Sequence, residues 1–238
     1  MIIIVGMPRS GTTLVANILG QSKLVKVLIE PHILWRTDNF NYFNDDEYNI
    51  SLKIINRIRS RFYEYANGKI LVEKSPINCV RAKLVYKTFP NAKLYGALGN
   101  HDLSPSNNWP TTPSESKWLF DKLVDIWSPW LPETALKTLG ETGWYSADVD
   151  GVPGLRIITP NTNYWAFYNT YLIFNSTIAD IQWKWIESEL ERAWNDGVKV
   201  YINGHHPPVG QYEGNSADDF WPMYTQKYVQ LMEKYQIL

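Results

Sequence analysis

The sequence is poor in several features that would place it in a specialised class of protein. Its 238 residues include one cysteine, Cys79, so no disulfide can form within the chain and an oxidising compartment is not indicated. No stretch approaches the roughly 20 apolar residues of a membrane span, and the short apolar amino terminus lacks the basic leader of a signal peptide. The net charge of −1 does not favour nonspecific binding to nucleic acid. We therefore expect a cytoplasmic globular protein whose ligands are small molecules.

Charge and tryptophan are distributed unevenly along the chain. Residues 1–94 contain 14 Lys and Arg and 7 Asp and Glu, whereas residues 95–238 contain 9 and 17. Trp35 precedes the break and the other ten tryptophans follow it. Such asymmetry is typical of separate modules, although no Gly/Ser linker joins the two. We predict one segment over residues 1–94 and another over residues 95–238. Whether the two segments share one sheet is left open.

Strands that alternate with helices predict an α/β fold with a mixed, largely parallel sheet flanked by helices. The stretch 171–174 is predicted as a short strand or a loop. Strands are predicted at 2–5, 25–29, 70–72, 92–98, 143–149, 155–159 and 199–203. Helices are predicted at 12–19, 52–65, 78–88, 114–127, 179–195 and 216–234.

The first predicted strand leads directly into a loop with P-loop spacing, Gly6-Met-Pro-Arg-Ser-Gly-Thr-Thr13. Backbone N–H groups of such a loop, together with the amino terminus of the next helix, bind phosphate oxygens. Arg9 adds a fixed positive charge, and Thr12 and Thr13 add hydroxyl groups. Thr12 stands where common ATPases and GTPases have a lysine, so the loop favours a different class of phosphate-binding protein.

The segment Pro8-Arg-Ser-Gly-Thr-Thr13 resembles the 5′-phosphosulfate loop of the sulfotransferases that use 3′-phosphoadenosine 5′-phosphosulfate (PAPS). Glu30-Pro-His-Ile-Leu-Trp35, Glu73-Lys-Ser-Pro76 and Phe89-Pro-Asn-Ala-Lys-Leu94 resemble later segments of the same family. The resemblance implies that Glu30 deprotonates the acceptor and that Lys74 stabilises charge near the sulfonate. It also implies that PAPS, or its product 3′-phosphoadenosine 5′-phosphate (PAP), is held by Pro8, Arg9, Ser10, Gly11, Thr12 and Thr13. The family's Arg-Asp-Pro motif for the 3′-phosphate does not follow Leu94.

Residues 95–238 resemble a second family, the calcineurin-like metallophosphoesterases. Gly99-Asn-His-Asp102 and Gly204-His-His-Pro-Pro208 resemble two of its motifs, and the stretch 155–163 with the helix around 182–187 is similar to the acid sphingomyelinase branch. The resemblance implies that Asn100 and His205 bind a divalent metal such as Zn²⁺ and that His101 contacts the scissile phosphate. His206 stands at a position not expected to bind metal. The family's Asp-x-His, Gly-Asp-x-x-Asp and Gly-His-x-His motifs are absent.

Each resemblance therefore covers part of an active site, and Phe89-Pro90 fits both families, which is the pattern of a chimera-like chain. Several functions remain open. The chain could bind PAPS or PAP with compromised turnover, or it could act as an active PAPS-dependent sulfotransferase with a novel 3′-phosphate site. It could also be a metal-dependent phosphodiesterase that recruits Asp102, Asp38 or Asp45, or a binding module that uses its tryptophan-rich part. The oligomeric state is left open.

Overall fold

The structure is a computed structural model that describes residues 1–4, 16–17, 19–37, 50–75, 78, 81–208 and 219–235. The chain divides into two compact units, unit 1 (Met1–Ala92) and unit 2 (Lys93–Leu238). In the parts described, each unit has its own three-stranded sheet. The predicted α/β class, with largely parallel strands and flanking helices, is confirmed. None of the described helices has the length and apolarity needed to cross a membrane.

Unit 1 is built on a parallel sheet with the strand order β1-β3-β2. Its longest helix buries four side chains at the spacing of one helical face, and the Ser51 hydroxyl accepts a hydrogen bond from the backbone N–H of Ile54 at its start. The strands are β1 (Ile2–Ile4), β2 (Val25–Ile29) and β3 (Ile70–Lys74). The helices are α1 (His32–Trp35), α2 (Leu52–Ala66) and α3 (Ala82–Thr88).

An aromatic cluster fills the core of unit 1. Trp35 packs edge-on against Phe62 with ring centres 4.9 Å apart, and Phe89 contacts both rings. All three side chains are buried. Edge-to-face pairs of this kind contribute beyond the area they bury. The cluster therefore ties α1 and α2 to the end of α3.

Unit 2 has a mixed sheet in which β5 pairs antiparallel with β4 and parallel with β6. Its longest helix ends where Gly197 adopts a left-handed conformation, as the sequence predicted. The strands are β4 (Tyr145–Asp148), β5 (Leu155–Thr159) and β6 (Lys199–Ile202). The helices are α4 (Lys117–Trp127), α5 (Glu133–Thr142), α6 (Thr177–Asp196) and α7 (Pro222–Lys234).

The strand predicted at 92–98 is wrong, because residues 92–99 form no regular secondary structure. Their carbonyl groups accept hydrogen bonds from distant side chains instead of from a neighbouring strand. The Tyr145 hydroxyl donates to the Gly96 carbonyl at 2.8 Å, and Asn203 Nδ2 donates to the Tyr95 carbonyl at 2.9 Å. Side chains thus take the place of a sheet ladder in this segment.

Other element boundaries also differ from the prediction. Helix α5 was not predicted at all, and Thr170–Ile173 forms a 3₁₀ helix where a short strand or a loop was predicted over 171–174. Helix α3 begins at Ala82 and not at residue 78. Helix α7 begins at Pro222, because proline is accommodated in the first turn of a helix. The helix predicted at 12–19 lies largely outside the described residues.

Candidate functional site

The carboxyl edge of the sheet in unit 1 carries two of the predicted site residues. Strand β3 is central, and its last residue, Lys74, is the register partner of Ile4 in β1 and of Ile29 in β2. Glu30 follows β2 directly. Open parallel sheets place ligand-binding residues at this edge. The sheet register alone therefore brings Glu30 next to Lys74.

Glu30 and Lys74 make two direct contacts. Lys74 Nζ lies 3.0 Å from Glu30 Oε1, and the Glu30 backbone N–H donates to the Lys74 carbonyl at 2.7 Å. The Lys74 side chain is 7% exposed and that of Glu30 is 45% exposed. A buried cation thus orients a carboxylate that still reaches solvent.

The backbone of Glu30 is strained, with φ at 51°. Residues other than glycine adopt this left-handed region at an energetic cost, and such residues are frequent at functional sites. The Glu30 carbonyl accepts from the His32 N–H at 2.7 Å, which closes a tight turn into α1. His32 Nε2 lies 3.7 Å from the Glu30 carboxylate. The turn fixes the carboxylate between His32 and Lys74.

A second carboxyl group, which the sequence reasoning did not assign, lies beside this pair. Glu73 is fully buried, and it accepts hydrogen bonds from Trp35 Nε1 at 3.1 Å and from Asn78 Nδ2 at 2.8 Å. Burial raises the pKa of Glu73 to about 7, against the lowering effect of its hydrogen bonds and of the Lys74 charge. An acidic residue in the apolar run Ile-Leu-Val-Glu was the signal that could have revealed it.

The predicted P-loop residues Pro8, Arg9, Ser10, Gly11, Thr12 and Thr13 lie outside the described residues. Their role in binding PAPS or PAP therefore stays a prediction. What the structure gives is the position of the strand before them: β1 ends at Ile4, at the edge where Lys74 lies.

In unit 2 the two predicted metal ligands contact each other. His205 Nε2 lies 2.8 Å from Asn100 Oδ1, and Asn100 Nδ2 donates to Asn107 Oδ1 at 2.7 Å. Because the amide nitrogen is already a donor to Asn107, the Asn100 oxygen is the acceptor and His205 Nε2 carries the proton. This tautomer is assigned from the hydrogen-bond network. The sequence motifs, which lie over 100 residues apart, are thus brought together.

The third predicted residue of this site, His101, is exposed, and its Nδ1 lies 2.9 Å from Ser106 Oγ. It forms no hydrogen bond with the Asn100–His205 pair, although its charge lowers the pKa of His205. Asp102, one of the carboxylates that could have been recruited for a metal, instead accepts the Gly99 N–H at 2.7 Å and closes the loop. Asp38 and Asp45 lie outside the described residues.

Both histidines of the Gly204–Pro208 loop favour the neutral form. Burial is the main cause that lowers the pKa of His205, and Asp102 and Asp219 partly oppose it. Burial, followed by the neighbouring His205, lowers the pKa of His206 to about 4. Neutral imidazole is the form that binds metal ions and accepts protons.

The described residues do not fit a dinuclear metal centre. Within the parts of the chain that the structure describes, no group of three or more His, Cys, Asp or Glu side chains could hold a metal ion. The Asn100–His205 pair supplies two neutral ligands and no bridging carboxylate, and its imidazole Nε2 carries a proton that a metal would have to displace.

Comparison with known proteins assigns the two parts of the chain to different relatives. The model of the sulfotransferase family matches residues 2–95. The human protein "Sphingomyelin phosphodiesterase" is 40% identical over 156 residues, covering 58% of this chain and 24% of that protein. The human "Cyclic GMP-AMP phosphodiesterase SMPDL3A" is 33% identical over 151 residues, covering 63% of this chain and 32% of that protein.

A third relative, "Sphingomyelin phosphodiesterase A" of Dictyostelium discoideum, is 34% identical over 151 residues, covering 61% of this chain and 24% of that protein. The chain thus spans between a quarter and a third of the length of the curated relatives it matches. It is a composite of a sulfotransferase-like segment and a segment similar to sphingomyelin phosphodiesterases, as the motifs predicted.

Proposed function

We propose that this chain binds a phosphate-bearing nucleotide, PAPS or PAP, through the loop that follows β1, and that its catalytic turnover is compromised. The observation that carries the proposal is the Lys74–Glu30 pair at the edge where β1 ends. The family match over residues 2–95 supports the same reading of the loop sequence.

In this proposal the residues of unit 1 have distinct roles. Arg9 and the backbone N–H groups from Arg9 to Thr13 hold the 5′-phosphate. Lys74 places its buried charge beside the transferring group, and Glu30 accepts the proton of an attacking hydroxyl or amine. Turnover is compromised because the sequence after Leu94 contains no Arg-Asp-Pro motif for the 3′-phosphate.

Thermal unfolding with and without PAP tests binding. A ligand at 100 times its dissociation constant stabilises the folded state by about 2.7 kcal/mol, so the parent transition should rise by several degrees. Adenosine, which has no phosphate, should cause no shift. Arg9→Ala should remove the PAP shift, and Lys53→Ala, a substitution of an exposed lysine on α2, should keep it. A parent transition that PAP leaves unmoved would refute the proposal.

Sulfonate transfer from PAPS tests how far turnover is compromised. The contact between Glu30 and Lys74 favours some residual transfer, because base and cation are already aligned. Glu30→Gln keeps the size and hydrogen bonding of the side chain while removing its basicity. Binding of PAP that survives this change while transfer disappears would separate the binding site from the base. Transfer at the rate of an ordinary sulfotransferase would contradict compromised turnover.

A metal-dependent phosphodiesterase is the second candidate function, and the Asn100–His205 contact in unit 2 favours it. The two human proteins to which the chain is similar are phosphodiesterases. Hydrolysis of a nitrophenyl phosphodiester with added Zn²⁺ would test it, with His101→Ala as the variant and His32→Ala in unit 1 as its matched control. We expect slow turnover, lost in His101→Ala alone. Equal rates with and without Zn²⁺ would rule this candidate out.

A further inference from the structure

The Thr162 hydroxyl group binds the backbone of the turn that carries His205 and His206. Thr162 Oγ1 accepts the backbone N–H of His205 at 3.2 Å and that of His206 at 2.9 Å. Gly204 makes this approach possible, because a Cβ at that position would lie 2.8 Å from Thr162 Cγ2. The position of the histidine turn is therefore set against the segment that follows β5.

The next residue, Asn163, connects the same turn to the Asn100 loop. Asn163 Nδ2 donates to the Leu98 carbonyl at 3.2 Å and to Asn161 Oδ1 at 2.7 Å, which fixes the orientation of the amide. Its oxygen then faces His206 Nε2 at 3.2 Å and acts as acceptor, so His206 carries its proton on Nε2. Leu98 immediately precedes Gly99 and Asn100 in the chain.

Behind these two residues lies a buried polar network. Gln182 accepts the Asn161 N–H at 2.7 Å and donates to the Asn161 carbonyl at 3.1 Å, and Asn169 donates to the Asn163 carbonyl at 3.0 Å. All of these side chains are almost completely buried. Polar groups removed from water are stable only when their partners are in place, so such a network allows few alternative arrangements.

The network leaves little freedom for the Asn100–His205 pair. A Cβ on Gly99 would lie 3.2 Å from the His205 ring, so the imidazole packs directly on the backbone that precedes Asn100. We propose that Thr162 and Asn163 are positioning residues, which set the contact between Asn100 and His205 and hold His206 with its proton on Nε2. Neither residue would touch a substrate. Only a catalytic role for this positioning rests on the phosphodiesterase candidate; the positioning itself does not.

Two variants of the full chain test the proposal. Thr162→Val removes the hydroxyl group at nearly constant volume, and Asn163→Leu removes the amide. Thr138→Val, whose hydroxyl bonds within α5 to the Thr134 carbonyl, is the matched control. Long-range proton–nitrogen NMR correlations identify the tautomer of each histidine, and hydrogen exchange of α6 reports whether unit 2 is folded.

In the parent and in Thr138→Val, we expect His205 and His206 both to be protonated on Nε2. In Thr162→Val, protection of α6 should persist while His205 becomes a mixture of tautomers, because the His205 backbone is no longer held in place next to Asn100. In Asn163→Leu, protection of α6 should likewise persist while His206 becomes a mixture of tautomers. A folded Thr162→Val protein with an unchanged His205 tautomer would overturn the proposal, even if Asn163→Leu does not fold.

Binding of Zn²⁺ alone separates this proposal from the phosphodiesterase candidate. If the parent binds no Zn²⁺, the phosphodiesterase candidate fails by itself, and the tautomers still decide whether Thr162 and Asn163 position the pair.

Discussion

The two units place polar side chains for a candidate site by different physical means. In unit 1, Glu30 and Lys74 meet because they end adjacent parallel strands, and the sheet register sets their separation. In unit 2, Asn100 follows a segment without strand pairing, and the side-chain amides of Asn163 and Asn203 hold that segment next to the His205 turn. A site of the first kind depends on backbone hydrogen bonds, whereas a site of the second kind depends on a few side chains and is easier to disrupt by substitution.

The units also differ in the ionisable group that they bury. Unit 1 buries the Glu73 carboxyl, whose pKa is raised, and unit 2 buries the His206 imidazole, whose pKa is lowered. In both cases burial favours the neutral form. Because one group is an acid and the other a base, the same physical cause makes the stabilities of the two units depend on pH in opposite directions.

Truncation of a buried aromatic ring should give the largest effect and show whether the units are energetically separate. Phe62 and Phe120 are both completely buried, one in each unit. Replacement by alanine should cost about 3–5 kcal/mol in each case, through lost burial and the cavity that remains. Hydrogen exchange of α2 and α6 measures the two units in the same sample. We expect Phe62→Ala to deprotect α2 alone and Phe120→Ala to deprotect α6 alone; loss of protection in both helices from either change would show that the units unfold together.

The pH dependence of stability should show the next largest effect, on the order of 3 kcal/mol in each unit. The Glu73 pKa is raised from 4.5 to about 7, so the folded unit 1 binds the extra proton and its stability falls as the pH rises through this window. The His206 pKa is lowered from 6.5 to about 4, so unit 2 loses stability as the pH falls through that window. Hydrogen exchange at pH 5 and pH 7, corrected for intrinsic rates, should therefore move in opposite directions for α2 and α6.

Neutral replacements provide the controls for this comparison. Glu73→Gln keeps an acceptor for Trp35 Nε1, and His206→Gln keeps a donor for Asn163 Oδ1, while each change removes the titrating group. Each should abolish the pH response of its own unit and leave that of the other. If the response of α2 persists in Glu73→Gln, another group in unit 1 is responsible.

Backbone strain at Glu30 should give a smaller effect, on the order of 1 kcal/mol. Glu30 adopts a left-handed conformation without being glycine, whereas the left-handed position that ends α6 in unit 2 is Gly197. Glu30→Gly and Glu30→Ala both remove the ion pair with Lys74, so the difference between them isolates the strain, and the glycine variant should be more stable. Gly197→Ala should destabilise by a similar amount. Urea unfolding measures all three, and equal stability of the two Glu30 variants would mean that the strain is negligible.

Local patterns in the sequence predicted much of this fold. Strands β2 and β5, helix α2 and the end of α6 at Gly197 follow from apolar periodicity and a helix-ending glycine. Helix α5 was missed because few of its residues are apolar, although Pro132, Glu133 and Gly143 mark its two ends. The segment 92–98 was predicted as a strand because it is largely apolar, and nothing local reveals that side chains over 45 residues away supply its hydrogen bonds.

In the candidate sites, too, some contacts could be predicted from the sequence and others could not. The Glu30–Lys74 contact follows from strand order, and the Asn100–His205 contact follows from motifs that the sequence displays. Glu73 and Asn163 could not be assigned from the sequence, because their importance comes from complete burial, and polar residues of these types are mostly exposed in proteins. Sequence alone identifies side chains that are capable of catalysis or metal binding, whereas the groups that orient them are recognised only when burial and hydrogen-bond partners are known.

Helix capping should give the smallest effect, and it again contrasts the units. The Ser51 hydroxyl caps α2 in unit 1, whereas Ser116, the residue before α4 in unit 2, makes no side-chain cap, and its buried hydroxyl has no hydrogen-bond partner among the described residues. Ser51→Ala should therefore cost about 0.5–1 kcal/mol, and Ser116→Ala should be neutral or slightly stabilising, because it removes an unsatisfied buried polar group. Hydrogen exchange in the first turns of the two helices measures both changes in one experiment. An equal loss of stability in the two variants would mean that the hydroxyl of Ser116 has a partner after all, and that the two helix starts do not differ in the way their geometry indicates.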